Sequence, residues 1–354
     1  MTAHSPNVVV YVDAAGEVLY TSTAGSGSGA STSATSAPQV ASSSASSSAA
    51  ATSAAATSAA AYSASAYSSA AASSSSAAPA AASSSSSSSS ASGLNGIAYS
   101  PYSGSVADGN VGCKTAAQVA ADFAAIPSSY NLVRIYGTDC NQVENVLTAA
   151  KSKGMKVFAG VYDITQVASE IATIIAAANG DWSDFHTISI GNELVNSGGA
   201  TVAAVVAAIG TARTALSAAS YTGNVVTVDT SGAIESNPQL CEASDYVAAN
   251  AHPFFDSDCV ASDAGSWLLS TMQAVSSACG GKDTVITETG WPWAGTANGV
   301  AVPSSENQKT AISSIQSTVS SNVIMFTAFN DLWKQPGYLS VEQSWGVYGN
   351  SAAS

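Results

Sequence analysis

From Gly93 onward, short apolar runs alternate with longer stretches in which apolar residues recur every three or four positions. The short runs, rich in Val, Ile, Thr and Tyr, predict strands at 96–99, 132–136, 156–161, 187–191, 224–228, 246–250, 284–287 and 323–329. The longer stretches predict helices at 115–126, 142–153, 165–179, 201–219, 264–279 and 305–319. Runs such as VVTV and TVIT do not alternate with charged positions, as a sheet covered on both faces requires. Strand and helix in alternation imply parallel strands, and eight such units in roughly 260 residues have the size of a (β/α)8 TIM barrel. A doubly wound open sheet is the alternative. It announces itself with a Gly-rich phosphate turn after the first strand, whereas here that strand runs into Tyr99-Ser100-Pro101-Tyr102.

Upstream the pattern disappears. Between Glu17 and Asp108 there is no charged side chain, and most of this stretch is Ser, Ala and Thr, with few large apolar groups to bury. The expected organisation is a short segment at 1–20, containing the strand- or hairpin-like VVVYVDAAGEVLY, then a disordered linker at 21–92 and one barrel domain at 93–350. The tract resembles the O-glycosylated stalks of exported proteins, and the absence of a signal peptide in residues 1–20 leaves room for a leader upstream of the given start.

Charge narrows the partners. A net charge of −14 and a pI near 4.3 repel phosphate backbones, so nucleic acid is not an expected partner. No run of 18 apolar residues predicts a membrane span, and a monomer is expected. The five cysteines fit no zinc spacing. Pairing of Cys113 with Cys140 and of Cys241 with Cys279, leaving Cys259 free, is the simplest account in an oxidising compartment. No cofactor or metal is expected: with three histidines, no His-Glu-x-x-His helix and no Gly-x-Ser-x-Gly elbow in the barrel, zinc and serine-triad hydrolysis lack their residues.

Candidate chemistry lies at the C-terminal strand ends, where barrels of this type carry their reacting groups. The fourth predicted strand ends in Ile190-Gly191-Asn192-Glu193, and the seventh leads through Ile286-Thr287 to Glu288. Either glutamate alone would pass for a loop carboxylate. Strands four and seven face each other across a closed eight-strand barrel, so both carboxylates can enter one cleft, the arrangement glycoside hydrolysis requires. Asn192 would stand beside the first as a donor to a substrate hydroxyl or to the nucleophile.

Seven motifs carry a resemblance: GIAYSPY at 96–102, LVRIYGTDC at 132–140, ISIGNEL at 188–194, NAHPFF at 250–255, VITETGWP at 285–292, FTAFNDLWK at 326–334 and EQSWGVY at 342–348. Together they resemble glycoside hydrolase family 17, in particular the fungal cell-wall β-1,3-glucanases and glucanosyltransferases with a Ser/Thr-rich N-terminal stalk. The resemblance implies a retaining enzyme acting on β-1,3-glucan at the cell wall or surface, by hydrolysis with or without transglycosylation. It makes Glu193 the general acid/base and Glu288 the nucleophile. It also implies roles for Asp331 and Lys334, which match a Glu and a Lys of the family; Asp at 331 is a departure that shortens the side chain. Glu342 matches a family acid and equally suits a salt bridge.

Of the aromatics at predicted strand ends (Tyr99, Tyr102, Tyr136, Phe254, Phe255, Trp291 and Trp333), Tyr99, Tyr136 and Trp291 are assigned to the cleft, where sugar C–H faces stack on rings. Trp293 and Phe329 are read as core or rim. His252 is either a donor to a sugar hydroxyl or a structural histidine, and Arg134, inside a strand, is expected to pair with a carboxylate near the barrel centre. Two other readings stand beside the enzyme: a wall mannoprotein or adhesin that binds glucan without cleaving it, and a β-1,4-specific enzyme of a related barrel family. Both carboxylates are present, which favours catalysis.

Overall fold

The computed structural model describes residues 93–351, together with the backbone of 8–12 and 18–23. Val8–Val12 pairs antiparallel with Val18–Thr23, so the strand or hairpin expected within 1–20 is a hairpin whose second strand runs three residues past that boundary, because Thr21, Ser22 and Thr23 pair with Val10, Val9 and Val8. The linker expected at 21–92 otherwise lies outside the described residues.

Eight parallel strands form the barrel: β1 (Asn95–Ala98), β2 (Leu132–Arg134), β3 (Lys156–Val161), β4 (Phe185–Asn192), β5 (Asn224–Thr230), β6 (Val247–Asn250), β7 (Thr284–Thr289) and β8 (Val323–Met325). Each pairs with its neighbour in sequence, and β8 pairs with β1 to close the ring. The closure explains the missing alternation: every residue of β6 and β7 is buried, one face against the barrel interior and the other against helices.

Helices α1 (Ala116–Ala125), α2 (Gln142–Ser152), α3 (Val167–Ala178) and α4 (Val202–Ala218) follow the first four strands, with α7 (Ala264–Ala278) and α8 (Ser305–Thr318) after β6 and β7. Three start where the sequence supplies a cap. The Thr115, Thr201 and Ser304 hydroxyls accept from the amides of Gln118, Ala204 and Asn307, and Gln118 completes a capping box. Two differences from the expected alternation appear. After β5 the chain forms two short helices, α5 (Ser231–Ser236) and α6 (Gln239–Ala243), too brief for periodicity to reveal and separated by Asn237-Pro238. After β8 no α-helix follows among the described residues, and the chain returns across the C-terminal face as loops.

Both expected disulfides form, Cys113–Cys140 and Cys241–Cys279, and Cys259 stays free and buried. The second bridge ties α6 to the residue capping α7. Replacing Cys241 and Cys279 by Ser is expected to cost about 2–4 kcal/mol. Thermal melting should then register a fall of roughly 5–15 °C; an unchanged melting temperature would mean that the bridge holds nothing the fold does not already hold.

Candidate active site

Glu193 leaves the sheet at the end of β4 through two left-handed residues, Gly191 at φ +78° and Glu193 itself at φ +54°. A Cβ on residue 191 would also approach Leu194 Cδ1 to 2.7 Å, so only glycine suits that position. Positive φ at a glutamate is unfavourable, and the surroundings hold it. The Glu193 amide donates to the Val228 carbonyl at 2.9 Å, and Asp229, at the end of β5, accepts from the amides of Val195 (2.9 Å) and Asn196 (3.2 Å).

Glu288, on β7, is 6% exposed. Its Oε1 accepts from Arg134 Nη1 at 2.5 Å, and His252 Nε2 stands 3.5 Å from Oε2. Arg134 has the role expected of it. Its Nη2 donates to Asn192 Oδ1 (2.7 Å), which also accepts from Asn250 Nδ2 (3.2 Å). Asn250 Nδ2 donates in turn to Glu193 Oε1 at 2.7 Å, while Asn250 Oδ1 accepts from the Thr287 hydroxyl at 2.8 Å. Three side chains, Arg134, Asn192 and Asn250, therefore connect the two carboxylates. With its oxygen occupied, Asn192 has its Nδ2 donors left for a ligand.

This network separates the two acids. For Glu288, burial pushes the pKa up, but the Arg134 charge and the hydrogen bonds from His252 and Arg134 outweigh it and bring it down to about 2. For Glu193, burial and then the Glu288 charge push it up to about 7, opposed by the Asn250 hydrogen bond. Near neutral pH one carboxyl is ionised and the other holds a proton for part of the time, the division that acid-assisted displacement needs.

Arg134 is the residue on which that division depends. Replacing it with Met removes the cation and leaves a buried, unpaired Glu288, an expected loss of about 3–5 kcal/mol. Because a carboxyl with a depressed folded pKa stabilises the fold above its unfolded pKa, near 4.3, and loses that contribution as pH falls through the folded value, the wild-type benefit disappears between about pH 4 and 2. Denaturant unfolding at pH 7 and pH 2.5 checks this: the gap between wild type and Arg134→Met should narrow at the lower pH.

Tyr136 lies over Arg134, 4.4 Å from ring centroid to Cζ, and its phenol pKa is raised by burial and by the Glu288 charge. It therefore lies beside Glu288 and Arg134, at the end of the barrel where the two carboxyls meet. His252 is enclosed by Trp345, Phe326 and Phe255, with centroids 4.9, 5.3 and 5.9 Å away, so its ring is fixed edge-on toward Glu288. Lys334 Nζ lies 3.4 Å from Asp331 Oδ2, an ion pair not aligned as a hydrogen bond, and 3.6 Å from Glu342 Oε2. Burial opposes the lysine's charge, but Asp331, Glu342 and Glu288 together raise its pKa and keep it protonated. Glu342 thus has the salt bridge allowed for it.

Two aromatics assigned to the cleft face elsewhere. Tyr99, 1% exposed, turns outward to α1, where its hydroxyl donates to Asp122 at 2.8 Å and its ring meets Phe123 edge-on. Asp122 draws it there by also binding Lys114 (2.6 Å), whose ammonium lies over the Tyr99 ring. Trp291, also 1% exposed, donates its indole N–H to the Val302 carbonyl at 3.0 Å and packs edge-on against Phe254. Neither offers a ring face to a sugar. Sequence reasoning missed Asn250 and Asp229: the polar Asn ending an otherwise apolar strand was a signal for the first, and an isolated Asp near the end of β5 gave none for the second.

Among the described residues no group of three or more His, Cys, Asp or Glu side chains is placed to hold a metal ion, and no helix is long and apolar enough to cross a membrane. The BtgE/BtgC glycoside hydrolase domain matches residues 96–346, which include both glutamates and all their partners. The chain belongs to the BtgE/BtgC glycoside hydrolase family. Its likeness to glycoside hydrolase family 17, read from the motifs, is upheld by relatives that carry that name. This BtgE/BtgC chain is 51% identical over 261 residues to the "Cell surface mannoprotein MP65" of Candida albicans, covering 73% of this chain and 67% of that protein. It is 50% identical over 261 residues to the "Probable family 17 glucosidase SCW4" of Saccharomyces cerevisiae, covering 73% and 66%. Against the "Probable beta-glucosidase btgE" of Aspergillus terreus it is 38% identical over 258 residues, covering 72% and 45%. The chain thus spans about two thirds or less of the length of these relatives. A solved glycoside hydrolase family 17 β-1,3-glucanosyltransferase from Rhizomucor miehei superposes with a TM-score of 0.62 at 24% identity, over 73% of this chain and 95% of that one, a likeness of fold.

Proposed function

We propose that the chain is a retaining glycosidase acting on β-1,3-glucan in the cell wall or at the cell surface. The observation that carries this reading is the pair of linked carboxyls just beyond β4 and on β7, one depressed to about 2 (Glu288) and one raised to about 7 (Glu193). In the first step a Glu288 oxygen attacks the anomeric carbon, the bond to the leaving oxygen breaks, and Glu193 delivers its proton to that oxygen. The product is a glycosyl ester on Glu288. Glu193, now a carboxylate, takes a proton from water or from a sugar hydroxyl, whose oxygen displaces Glu288 and restores both groups. Water gives hydrolysis; a sugar acceptor gives transglycosylation. Arg134 and His252 hold the nucleophile, Asn192 and Tyr136 face the sugar bound there, and the Lys334 cation balances the surrounding acids. Residues 93–350 are the catalytic domain in this reading, acting as a monomer, and residues 21–92 are a spacer.

A second reading, glucan binding without turnover, has one observation in its favour: the relative named a cell surface mannoprotein. Incubation with a reducing-end-labelled β-1,3-gluco-oligosaccharide, followed by mass spectrometry, separates the two. Shorter products are expected from hydrolysis and products longer than the substrate from transfer; a folded protein that binds the oligosaccharide and leaves it intact supports the second reading.

A further inference from the structure

β4 ends irregularly. Its register against β5 slips between Ser189, opposite Val226, and Asn192, opposite Val228, so β4 carries an extra residue there, and Gly191 lies within the slip at φ +78°. A bulge of this kind re-aims the side chain that follows it, here Glu193. The turn beyond closes on itself: the Ser197 amide and hydroxyl both donate to the Glu193 carbonyl, at 3.0 and 2.7 Å, and the Ala200 amide donates to the Leu194 carbonyl at 3.0 Å. None of these bonds ties the turn to the barrel. β5 does so through consecutive residues, with the Val228 carbonyl on the Glu193 amide and the Asp229 carboxylate on the amides of Val195 and Asn196.

A buried charge is an unusual means of pinning a turn. Asp229 is 2% exposed, and its remaining contact among the described residues is a third amide, that of Thr230 at 2.9 Å, rather than a cation. Burial raises its pKa, and the amides of Val195, Thr230 and Asn196 act against the rise. With N–H donors on both oxygens, the site suits a carboxylate; an asparagine would turn an amino group toward one of them. The charge reaches Glu193. After burial, Glu288 on β7 and then Asp229 favour the protonated form of that acid, while the Asn250 hydrogen bond and His252, just past β6, oppose it. Arg134 on β2 and Tyr162, just past β3, also interact with the Glu193 charge.

We propose that Asp229 is a positioning residue for the reaction and acts through Glu193 in two ways: its oxygens aim the turn that presents the acid, and its buried charge helps the acid keep a proton until the leaving oxygen takes it. This deepens the glycosidase reading and rests on it. Neither effect requires Asp229 to touch the sugar.

Asp229→Asn tests this on two substrates: a β-1,3-gluco-oligosaccharide, whose departing sugar needs the Glu193 proton, and an aryl β-glucoside whose leaving group needs none. On the first, kcat/KM should fall about 10- to 100-fold, and on the second it should stay within about threefold. The basic limb of the oligosaccharide profile should also move to lower pH, because removing a negative neighbour makes Glu193 the stronger acid. Equal losses on both substrates with the limb unmoved would make Asp229 a staple for the fold and overturn the proposal, as would wild-type kinetics on both. Should this variant not fold, Asp229→Glu carries the comparison, since it keeps the charge and displaces the oxygens. Oligosaccharide turnover should then drop with the limb at its wild-type pH, and unchanged turnover or equal losses on both substrates overturns the proposal. A wild-type protein that cleaves neither substrate removes the glycosidase reading itself, and the role of Asp229 with it.

Discussion

Exchange of Glu288 for Gln is expected to reduce kcat/KM toward β-1,3-gluco-oligosaccharides on the order of 10⁴-fold, or about 5–6 kcal/mol of transition-state stabilisation. Gln keeps the shape of the side chain and an oxygen to accept from Arg134, so the loss reflects the missing nucleophile more than a disturbed barrel. A melting curve near the wild-type one is the control for that. Cutting the side chain back further, to Gly, opens room for a small anion where the carboxylate stood. Added azide should then restore turnover of a substrate with a good leaving group, and the glycosyl azide formed should have the anomeric configuration opposite to the substrate's, because one displacement replaces two. Retention of more than a tenth of the activity by Glu288→Gln would remove Glu288 from this role and, with it, the covalent intermediate.

The barrel was legible because strand burial on both faces writes itself as uninterrupted apolar runs, and each of the eight runs lies where a strand forms. The two glutamates were legible because strand order alone sets them opposite one another. What distinguishes them was not. Arg134 lies 154 residues from Glu288 in sequence and Asn250 lies 57 from Glu193, so the contacts that divide the acids exist only once the barrel closes. Ring direction was also hidden. Tyr99 and Trp291 both sit at strand ends, where a one-residue difference in orientation decides between cleft and helix layer, and each is claimed by a polar partner outside the cleft, Asp122 for one and the Val302 carbonyl for the other.

Glu193→Gln should separate catalysis from stability. As a proton donor and acceptor, Glu193 accounts for about 10²–10⁴-fold in rate, and its loss should be felt fully with a sugar leaving group. With an aryl glycoside whose leaving group needs no proton, formation of the glycosyl ester should be largely spared, so the ester accumulates and a burst of released phenol precedes slow turnover. The wild-type rate should fall as pH rises through about 7, where Glu193 loses its proton, and the variant should lack that limb. Stability should move the other way. Glu193 keeps its proton in the folded protein up to about pH 7, whereas the unfolded chain releases it near 4.3, so folding weakens as pH climbs between those values. Gln carries no such proton. Relative to wild type, the variant should therefore be more stable at pH 8 than it is at pH 4, measured by denaturant midpoints at the two values. A carboxyl kept for structure would give the opposite result, a variant that loses stability at pH 8. Loss of the basic limb together with a gain in stability at alkaline pH would mean that the fold bears the cost of a buried acid because the reaction uses its proton.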